Sequence, residues 1–253
     1  MPHPRRRLRL IAQQRRELGL PYALLNAAHE AIDRLLEPLD GVLLRIEGRR
    51  GVLGPAHRRY RGQTPLDNRE LWSRYDWSGG GLEWGPAESR DALIDKMLPP
   101  GDHESIVEIG PGAGRFSEVL AERAQRLVLV DVTDEALRRC REHLGERPGV
   151  EYVRTDGASL PGVTGASIDL VWSFEAFVHM QPVDVAAYVG EIARVLRPGG
   201  RAVIHHAARR DRSGWRAPMS AALFARLAGD RGLEVESQES WGTYDDVISV
   251  LLR

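Results

Sequence analysis

Three closely spaced glycines follow a short apolar run and could hold a nucleotide-type ligand. The run Val107–Ile109 stops at a turn that contains Gly110, Gly112 and Gly114, and a helical pattern begins directly after it. Glycines let the backbone approach a ligand closely, and the start of the following helix lies beside that ligand. About 20 residues past the first glycine, a second apolar run ends in Asp131, whose carboxylate could accept hydrogen bonds from ribose hydroxyls. Together these features predict a site for a cofactor that contains a nucleoside.

The order of the glycines separates two classes of cofactor. A dinucleotide-binding turn reads G-x-G-x-x-G, whereas Arg115 stands here at the position of its third glycine. Glu108, two residues before the first glycine, is unfavourable beside a pyrophosphate and favourable beside a cationic ligand. The resulting E-x-G-x-G-x-G sequence resembles motif I of class I S-adenosylmethionine-dependent methyltransferases. A nicotinamide-dependent reductase and a related fold without catalysis are the alternatives from other classes.

Segments downstream continue this resemblance, which covers about residues 100–253. Glu151–Arg154 is similar to the third strand of the family, and the loop after it carries the Asp that approaches the adenine in family members. Ile168–Ser173 resembles the fourth strand, whose end lies next to the methyl-donor sulfur, and residues 193–204 resemble the helix, Pro-Gly-Gly turn and fifth strand. The resemblance implies S-adenosyl-L-methionine as cofactor, bound by Glu108, Gly110, Gly112, Gly114, Asp131, Val132, Asp156, Gly157 and Ser173.

Candidate acid and base groups follow the fourth and fifth strands. Ligands in open α/β sheets bind outside the carboxyl ends of the strands. A hydroxyl group must lose its proton to attack a sulfonium methyl, and an imidazole suits that role near neutral pH. His179 lies just before a Met-x-Pro turn, where related natural-product sugar O-methyltransferases place a catalytic histidine. We therefore predict His179 as the base, with a packed or helix-capping imidazole as the alternative.

Two adjacent histidines follow the fifth strand and point to opposite sides if the strand continues through them. His206, which is further beyond the strand end than His205, is the predicted second catalytic residue, and Glu175 is predicted to orient a histidine or bind substrate. Some sugar O-methyltransferases bind Mg²⁺ through acids after strands four and five, and Glu175 with His206 occupies the corresponding places. Imidazole suits Mg²⁺ poorly, so both the metal and its ligand set stay open at this stage.

A tryptophan-rich segment precedes motif I and could bind a carbohydrate. Indole rings stack on the apolar face of a sugar, while carboxylates accept hydrogen bonds from its hydroxyls. Residues 66–85 also contain a run of three glycines, which indicates a loop. We predict a lid over the site with substrate contacts from Tyr75, Trp77, Trp84 and Glu83. The alternative is that these aromatic residues only pack an N-terminal lobe against the core.

Composition and charge are those of a globular enzyme. The chain has 253 residues, is 42% hydrophobic and carries a formal net charge of −1. No apolar run approaches the roughly 20 residues that cross a bilayer, so we expect a cytoplasmic protein without membrane contact. Arginines are concentrated in residues 1–63, but no RNA-binding signature accompanies them, which argues against a nucleic-acid partner.

These observations combine into one prediction of architecture and activity. We expect a doubly wound, Rossmann-like α/β domain over residues 90–253 with a seven-stranded sheet. A helical N-terminal lobe over residues 1–89 is expected to cover the site and to mediate homodimerisation. The activity implied is S-adenosylmethionine-dependent O-methylation of a sugar or glycoside, as in similar actinobacterial sugar methyltransferases, with a mannoside of polysaccharide biosynthesis as one acceptor. N-methylation of an amino sugar or another small amine is the main alternative.

Overall fold

The computed structural model describes residues 39, 41–60, 62–77, 87–98, 103–208, 216–242 and 245–253. The chain divides into two compact units, Met1–Ile46 and Glu47–Arg253. The unit Glu47–Arg253 includes residues that precede motif I. It does so because residues ahead of motif I pack on the central domain: Asn68 Nδ2, for example, donates a hydrogen bond to the carbonyl oxygen of His179 at 2.7 Å.

Seven strands of the described chain form one mixed sheet, which confirms the predicted fold class. The strands are β1 (His103–Ile109), β2 (Ala124–Asp131), β3 (Val150–Arg154), β4 (Ile168–Ser173), β5 (Leu196–His206), β6 (Glu234–Trp241) and β7 (Asp246–Leu252). Their order is β3-β2-β1-β4-β5-β7-β6. The first five strands are parallel, β7 is antiparallel to β5, and β6 is antiparallel to β7.

Helices cover the sheet and precede it in the described part of the chain. Residues 41–49 are helical. The helices that follow are α1 (Pro55–Arg59), α2 (Pro65–Ser73), α3 (Ala87–Met97), α4 (Ser117–Glu122), α5 (Asp134–Leu144), α6 (Pro182–Val195) and α7 (Ala221–Gly229), with a short 3₁₀ helix at Phe177–His179. No helix among the described residues has the length and apolar character required to span a membrane.

Local sequence sets the starts of two of these helices. At α2, the Thr64 side chain accepts from the Asp67 N–H, and the Asp67 carboxylate accepts from the Thr64 N–H, forming a reciprocal capping box. At α7, Ser220 Oγ accepts from the Leu223 N–H at 3.1 Å. That cap explains why α7 begins at Ala221.

The core lies on both faces of the sheet. Every residue of β4 is buried, as expected for a central parallel strand covered on both sides. Neighbouring residues of β1 alternate between the two apolar layers: Val107 belongs to one and Ile106 to the other. Strand order reverses between β1 and β4, and this switch point leaves a crevice at the carboxyl ends of the strands.

Candidate active site

A cleft opens at this switch point and encloses about 1060 Å³, part of it open to solvent. Its walls come from the glycine loop after β1, the end of β2, the loop after β3, the residues that follow β4, and helix α2. The cleft therefore lies where the sequence predicts the cofactor.

The three glycines of the loop after β1 have positive φ values, and two of them leave no room for a side chain. Gly110, Gly112 and Gly114 have φ values of +74°, +55° and +95°, a region that favours glycine. A Cβ added at Gly110 would lie 2.4 Å from Cβ of Ala176, and one at Gly112 would lie 3.0 Å from the Trp77 ring. The predicted glycine positions thus all adopt the conformation that a close backbone approach requires.

Glu108 is a buried carboxylate in the wall of the cleft. Ser117 Oγ, at the start of α4, donates a hydrogen bond to its Oε2 at 2.5 Å. Burial raises the pKa of Glu108 to about 8, and the nearby charge of Asp131 contributes in the same direction. A ligand with a positive charge would favour the ionised form of this carboxyl, as expected for the amino acid part of S-adenosylmethionine.

Asp131 ends β2 and also faces the cleft. Its Oδ1 accepts hydrogen bonds from the Thr133 N–H at 2.9 Å and from Thr133 Oγ1 at 3.1 Å. Burial raises the pKa of Asp131 to about 6, although backbone donors of Thr133, Gly112 and Val132 oppose the rise. Val132 lies in the cleft wall as well. The Asp131 carboxylate can accept hydrogen bonds from ribose hydroxyls, which would further stabilise its ionised form.

Two predicted cofactor residues do not present their side chains to the cleft. The first is Asp156, which is exposed, whereas its neighbour Gly157 lies in the wall of the cleft. Asp156 Oδ1 accepts hydrogen bonds from the N–H groups of Ala158 and Ser159 at 2.9 and 3.0 Å. Ser173 Oγ donates to the carbonyl oxygen of Ile109 at 2.7 Å, which ties β4 to β1 behind the wall. The Asp156 side chain therefore stabilises its own loop, and the Ser173 side chain joins two strands.

His179 and Glu175 both line the cleft, as predicted. His179 is 4% exposed, and its ring lies edge-on to Trp72 with a centroid separation of 5.1 Å. Glu175 has a φ of +58°, which is unusual for a residue other than glycine. Burial raises the pKa of the Glu175 carboxyl, against the opposing effect of the Arg216 guanidinium. The loop after β4 thus brings one imidazole and one carboxyl to the same cleft.

His206 does not reach the cleft, and the prediction that it acts in catalysis is corrected. Strand β5 continues through both histidines, so the pleat sends them to opposite faces. His206 Nδ1 lies 2.9 Å from the carbonyl oxygen of Ala207, and its Nε2 lies 2.8 Å from Ser249 Oγ. Its ring stacks on Phe224 of α7 at 4.0 Å, and burial lowers its pKa to about 4. His206 is a packed histidine on the far side of the sheet.

His205, and not His206, lies on the face of β5 that meets Glu175. The N–H of Glu175 donates to its Nδ1 at 3.2 Å, and its ring stacks on Phe174 at 4.5 Å. Burial lowers the pKa of His205 well below its usual value. A neutral ring that accepts at Nδ1 carries its proton on Nε2, which lies 3.6 Å from Asp246 Oδ2. His205 therefore supports the unusual backbone conformation of Glu175 from behind.

The predicted metal pair Glu175 and His206 is not formed, because His206 points to the opposite face of β5 from His205, which contacts Glu175. Glu175, His205 and Asp246 do come together, with ligand atoms within 4.8 Å of one another. However, Arg216 donates from Nε to Asp246 at 2.8 Å and from Nη2 to Glu175 at 3.4 Å. A guanidinium thus neutralises the carboxylates that a cation would need, and an imidazole completes the set. This donor set does not fit Mg²⁺.

Sequence reasoning missed Arg216 and Asp246. Both are buried, and they lie 30 residues apart on either side of β6. Asp246 offers one signal, since it is an acid at the start of the apolar run of β7. Arg216 precedes α7 in a stretch that carries no motif. Their contact with Glu175 depends on the antiparallel return of β7 beside β5.

The tryptophan-rich segment is partly described. Trp72 and Trp77 line the cleft, and Trp77 Nε1 donates to the carbonyl oxygen of Trp72 at 3.1 Å. Tyr75 packs edge-on against both indoles, at 5.2 and 4.9 Å, and supports them from outside the wall. Trp84 and Glu83 lie outside the described residues. Contact of these residues with a sugar stays a prediction.

The site consists of a glycine loop between two buried acids, Glu108 and Asp131. It lies in a seven-stranded sheet whose last two strands are antiparallel, and these features together are those of a methyltransferase fold. Residues 107–204 match the family model described as a methyltransferase domain. The chain therefore contains a methyltransferase domain and is an S-adenosylmethionine-dependent methyltransferase.

Known proteins similar to this chain act on different nucleophiles. Nodulation protein S of Rhizobium tropici is 27% identical over 191 residues, which span 74% of this chain and 78% of that protein. The ubiquinone biosynthesis O-methyltransferase of Hahella chejuensis is 28% identical over 149 residues, covering 54% of this chain and 61% of that protein. The solved structure of the N-methyltransferase NodS from Bradyrhizobium japonicum, in complex with S-adenosyl-L-homocysteine, has a TM-score of 0.62 at 20% identity, over 74% of this chain and 98% of that chain.

Proposed function

We propose that this methyltransferase transfers a methyl group to a hydroxyl of a sugar or glycoside, with His179 as general base. The observation that carries the proposal is the position of His179 in the cleft wall, beside the indole of Trp72. An imidazole can take the proton that a hydroxyl must lose, and a neighbouring indole offers a flat apolar surface to a sugar ring.

Different residues of the cleft bind the cofactor and act on the acceptor. Glu108, the glycine loop and Asp131 would hold the cofactor, which supplies an electrophilic methyl group on a positively charged sulfur. His179 removes the acceptor proton, and Glu175 accepts a hydrogen bond from an adjoining hydroxyl. Trp77 covers the glycine loop, where a Cβ on Gly112 would touch its ring, and it helps to exclude water.

The acceptor class follows from the sequence resemblance. Similarity to actinobacterial sugar methyltransferases, including the mycobacterial methylmannose polysaccharide 1-O-methyltransferase, supports a mannoside or a related glycoside as acceptor. Homodimerisation through the N-terminal lobe belongs to the same proposal.

N-methylation of an amino sugar or another small amine is the second candidate. The relative that aligns over 74% of this chain is nodulation protein S, and a NodS of similar fold is described as an N-methyltransferase. A neutral amine already carries a nucleophilic lone pair, so this reaction needs less help from a base than attack by a hydroxyl.

Replacement of His179 distinguishes the two candidates. We expect the labelled methyl group of S-adenosylmethionine to pass to methyl glycosides, and His179→Gln to lower kcat by about 10²–10⁴-fold, the usual effect of losing a general base. Affinity for S-adenosylhomocysteine, measured by calorimetry, should stay unchanged.

The control is His143→Gln, which alters an exposed histidine on α5. It should leave kcat as in the wild type. Methylation of amino sugars alone, with little loss in His179→Gln, would contradict the O-methylation proposal and favour the N-methylation candidate.

A further inference from the structure

Asp184, the third residue of α6, lines the cleft. The Gln181 side chain hydrogen-bonds to its carboxyl group, but Oδ2 is a buried atom that has no hydrogen-bond partner among the described residues. An unsatisfied buried acceptor is unfavourable unless a ligand supplies a donor. The orphaned oxygen therefore points to a donor group on a bound molecule.

The surroundings of Asp184 place it near the end of β3. Tyr188, one helical turn further along α6, donates from its hydroxyl to Thr155 Oγ1 at 3.4 Å. Thr155 and Gly157, which follow β3, line the same cleft. The charge of Asp156 helps to raise the pKa of Asp184 to about 6, after the larger effect of burial. Asp184 and the β3 loop thus form one corner of the cleft.

The order of the strands assigns that corner to the purine base. The glycine loop and Glu108 follow or end β1, and Asp131, the acid that suits the ribose, ends β2. A nucleoside that extends from β1 past β2 brings its base to the next strand in the sheet, which is β3. The base then lies beside the Thr155–Gly157 loop and below α6.

Asp156, the acid that the sequence resemblance implies for the adenine, already accepts hydrogen bonds within its own loop. Oδ1 of Asp156 accepts from two backbone N–H groups and from Ser159 Oγ at 2.9 Å. These bonds lower the pKa of Asp156 and hold its carboxylate in its own loop. The recognition of the base must therefore come from another group in this corner.

We propose that Asp184 accepts a hydrogen bond from the exocyclic amino group of adenine and so selects adenine over a 6-oxopurine. The amino group is a donor, which satisfies the orphaned oxygen. A 6-oxo group is an acceptor, and it would place its oxygen against the carboxylate. Asp184 is thus a specificity-determining residue for the cofactor.

Calorimetric titration with S-adenosylhomocysteine and its 6-oxo analogue, S-inosylhomocysteine, tests this assignment. Wild-type protein should bind the adenine compound at least about tenfold more tightly, the effect of one unsatisfied polar group. Asp184→Asn should bring the ratio of the two affinities close to one, because a carboxamide can rotate to donate to the 6-oxo oxygen. Asp156→Asn is the matched control and should keep the wild-type ratio.

The ratio is measured for two ligands on the same protein, so a general loss of folded protein in a variant cancels. Thermal unfolding of each ligand-free variant confirms that it folds. An unchanged ratio in Asp184→Asn, or a ratio that collapses in Asp156→Asn, would overturn the assignment.

Discussion

Glu108 is a carboxyl group held where water hardly reaches and where Asp131 adds a second negative charge. One hydroxyl donor, from Ser117, does not compensate for the loss of hydration. The native state therefore keeps the proton on Glu108 up to about pH 8, whereas the unfolded chain releases it near pH 4.5. A positively charged ligand would lower the pKa of Glu108 towards its value in the unfolded chain. The pH dependence of unfolding should therefore change when the ligand is bound.

The pH dependence of stability should report this carboxyl. The native pKa is raised, so the contribution of Glu108 is fully present below about pH 4.5 and is lost as the pH rises through 8. Glu108→Gln removes that loss, and its free energy of unfolding should fall less than that of the wild type between pH 5 and pH 8.5. The difference should reach a few kcal/mol, since one pKa unit corresponds to about 1.4 kcal/mol. Urea unfolding of the ligand-free protein measures it.

Glu234→Gln, which alters an exposed glutamate at the start of β6, serves as the control and should follow the wild-type profile. Saturation with S-adenosylhomocysteine, whose amino group is positively charged, should flatten the wild-type profile. Parallel profiles for Glu108→Gln and the wild type would show that this carboxyl is ionised in the native state at neutral pH.

At the scale of elements, the glycine loop and the loop after β4 approach each other closely enough to exclude a methyl group. A Cβ at Gly110 would meet Cβ of Ala176 at 2.4 Å, while Gly145, at the end of α5, has a similar φ of +66° with nothing within 4 Å. The two positions share a positive φ, which Gly145 combines with a ψ of −170°, and they differ in the contact. They therefore separate backbone strain from steric overlap.

Gly110→Ala should destabilise the protein more than Gly145→Ala. A backbone with positive φ costs a residue with a Cβ about 1–3 kcal/mol at either site, and overlap with Ala176 adds to this at Gly110 only. The double variant Gly110→Ala, Ala176→Gly should recover the added part, as measured by urea unfolding and by affinity for S-adenosylhomocysteine. Equal losses at Gly110 and Gly145 would show that the two loops do not touch.

At the scale of the whole molecule, the residues that line the cleft all belong to the unit Glu47–Arg253. Binding of a ligand to this cleft should therefore stabilise that unit by mass action. The unit Met1–Ile46 contributes no residue to the wall as described. Cofactor binding is thus expected to be a property of the second unit.

A chain that lacks residues 1–38 should bind S-adenosylhomocysteine with an affinity within about tenfold of the full chain. At a ligand concentration 100 times the Kd, both chains should gain about 2.7 kcal/mol of stability, seen as a rise in Tm. NADH, the ligand of the reductase alternative, is the control and should leave Tm unchanged. Loss of the S-adenosylhomocysteine shift in the shorter chain would place part of the site in the removed residues.

The glycine turn after β1 and most of the sheet could be predicted from the sequence, because their signals are local. Gly110, Gly112 and Gly114 follow an apolar run directly, and the run Ile168–Ser173 is a strand with the predicted bounds. Backbone sterics and the burial of neighbouring residues fix such features within a few positions of the chain.

Which polar groups meet at the cleft became clear only from the folded chain. His205 and His206 are adjacent in the chain, and the pairing of β5 with β7 settled which of them supports Glu175. The hydrogen bond between Asn68 and His179 spans 111 residues, and that between Arg216 and Asp246 spans 30. Such contacts depend on strand order and on the direction of each side chain, which a single sequence does not encode in any short pattern.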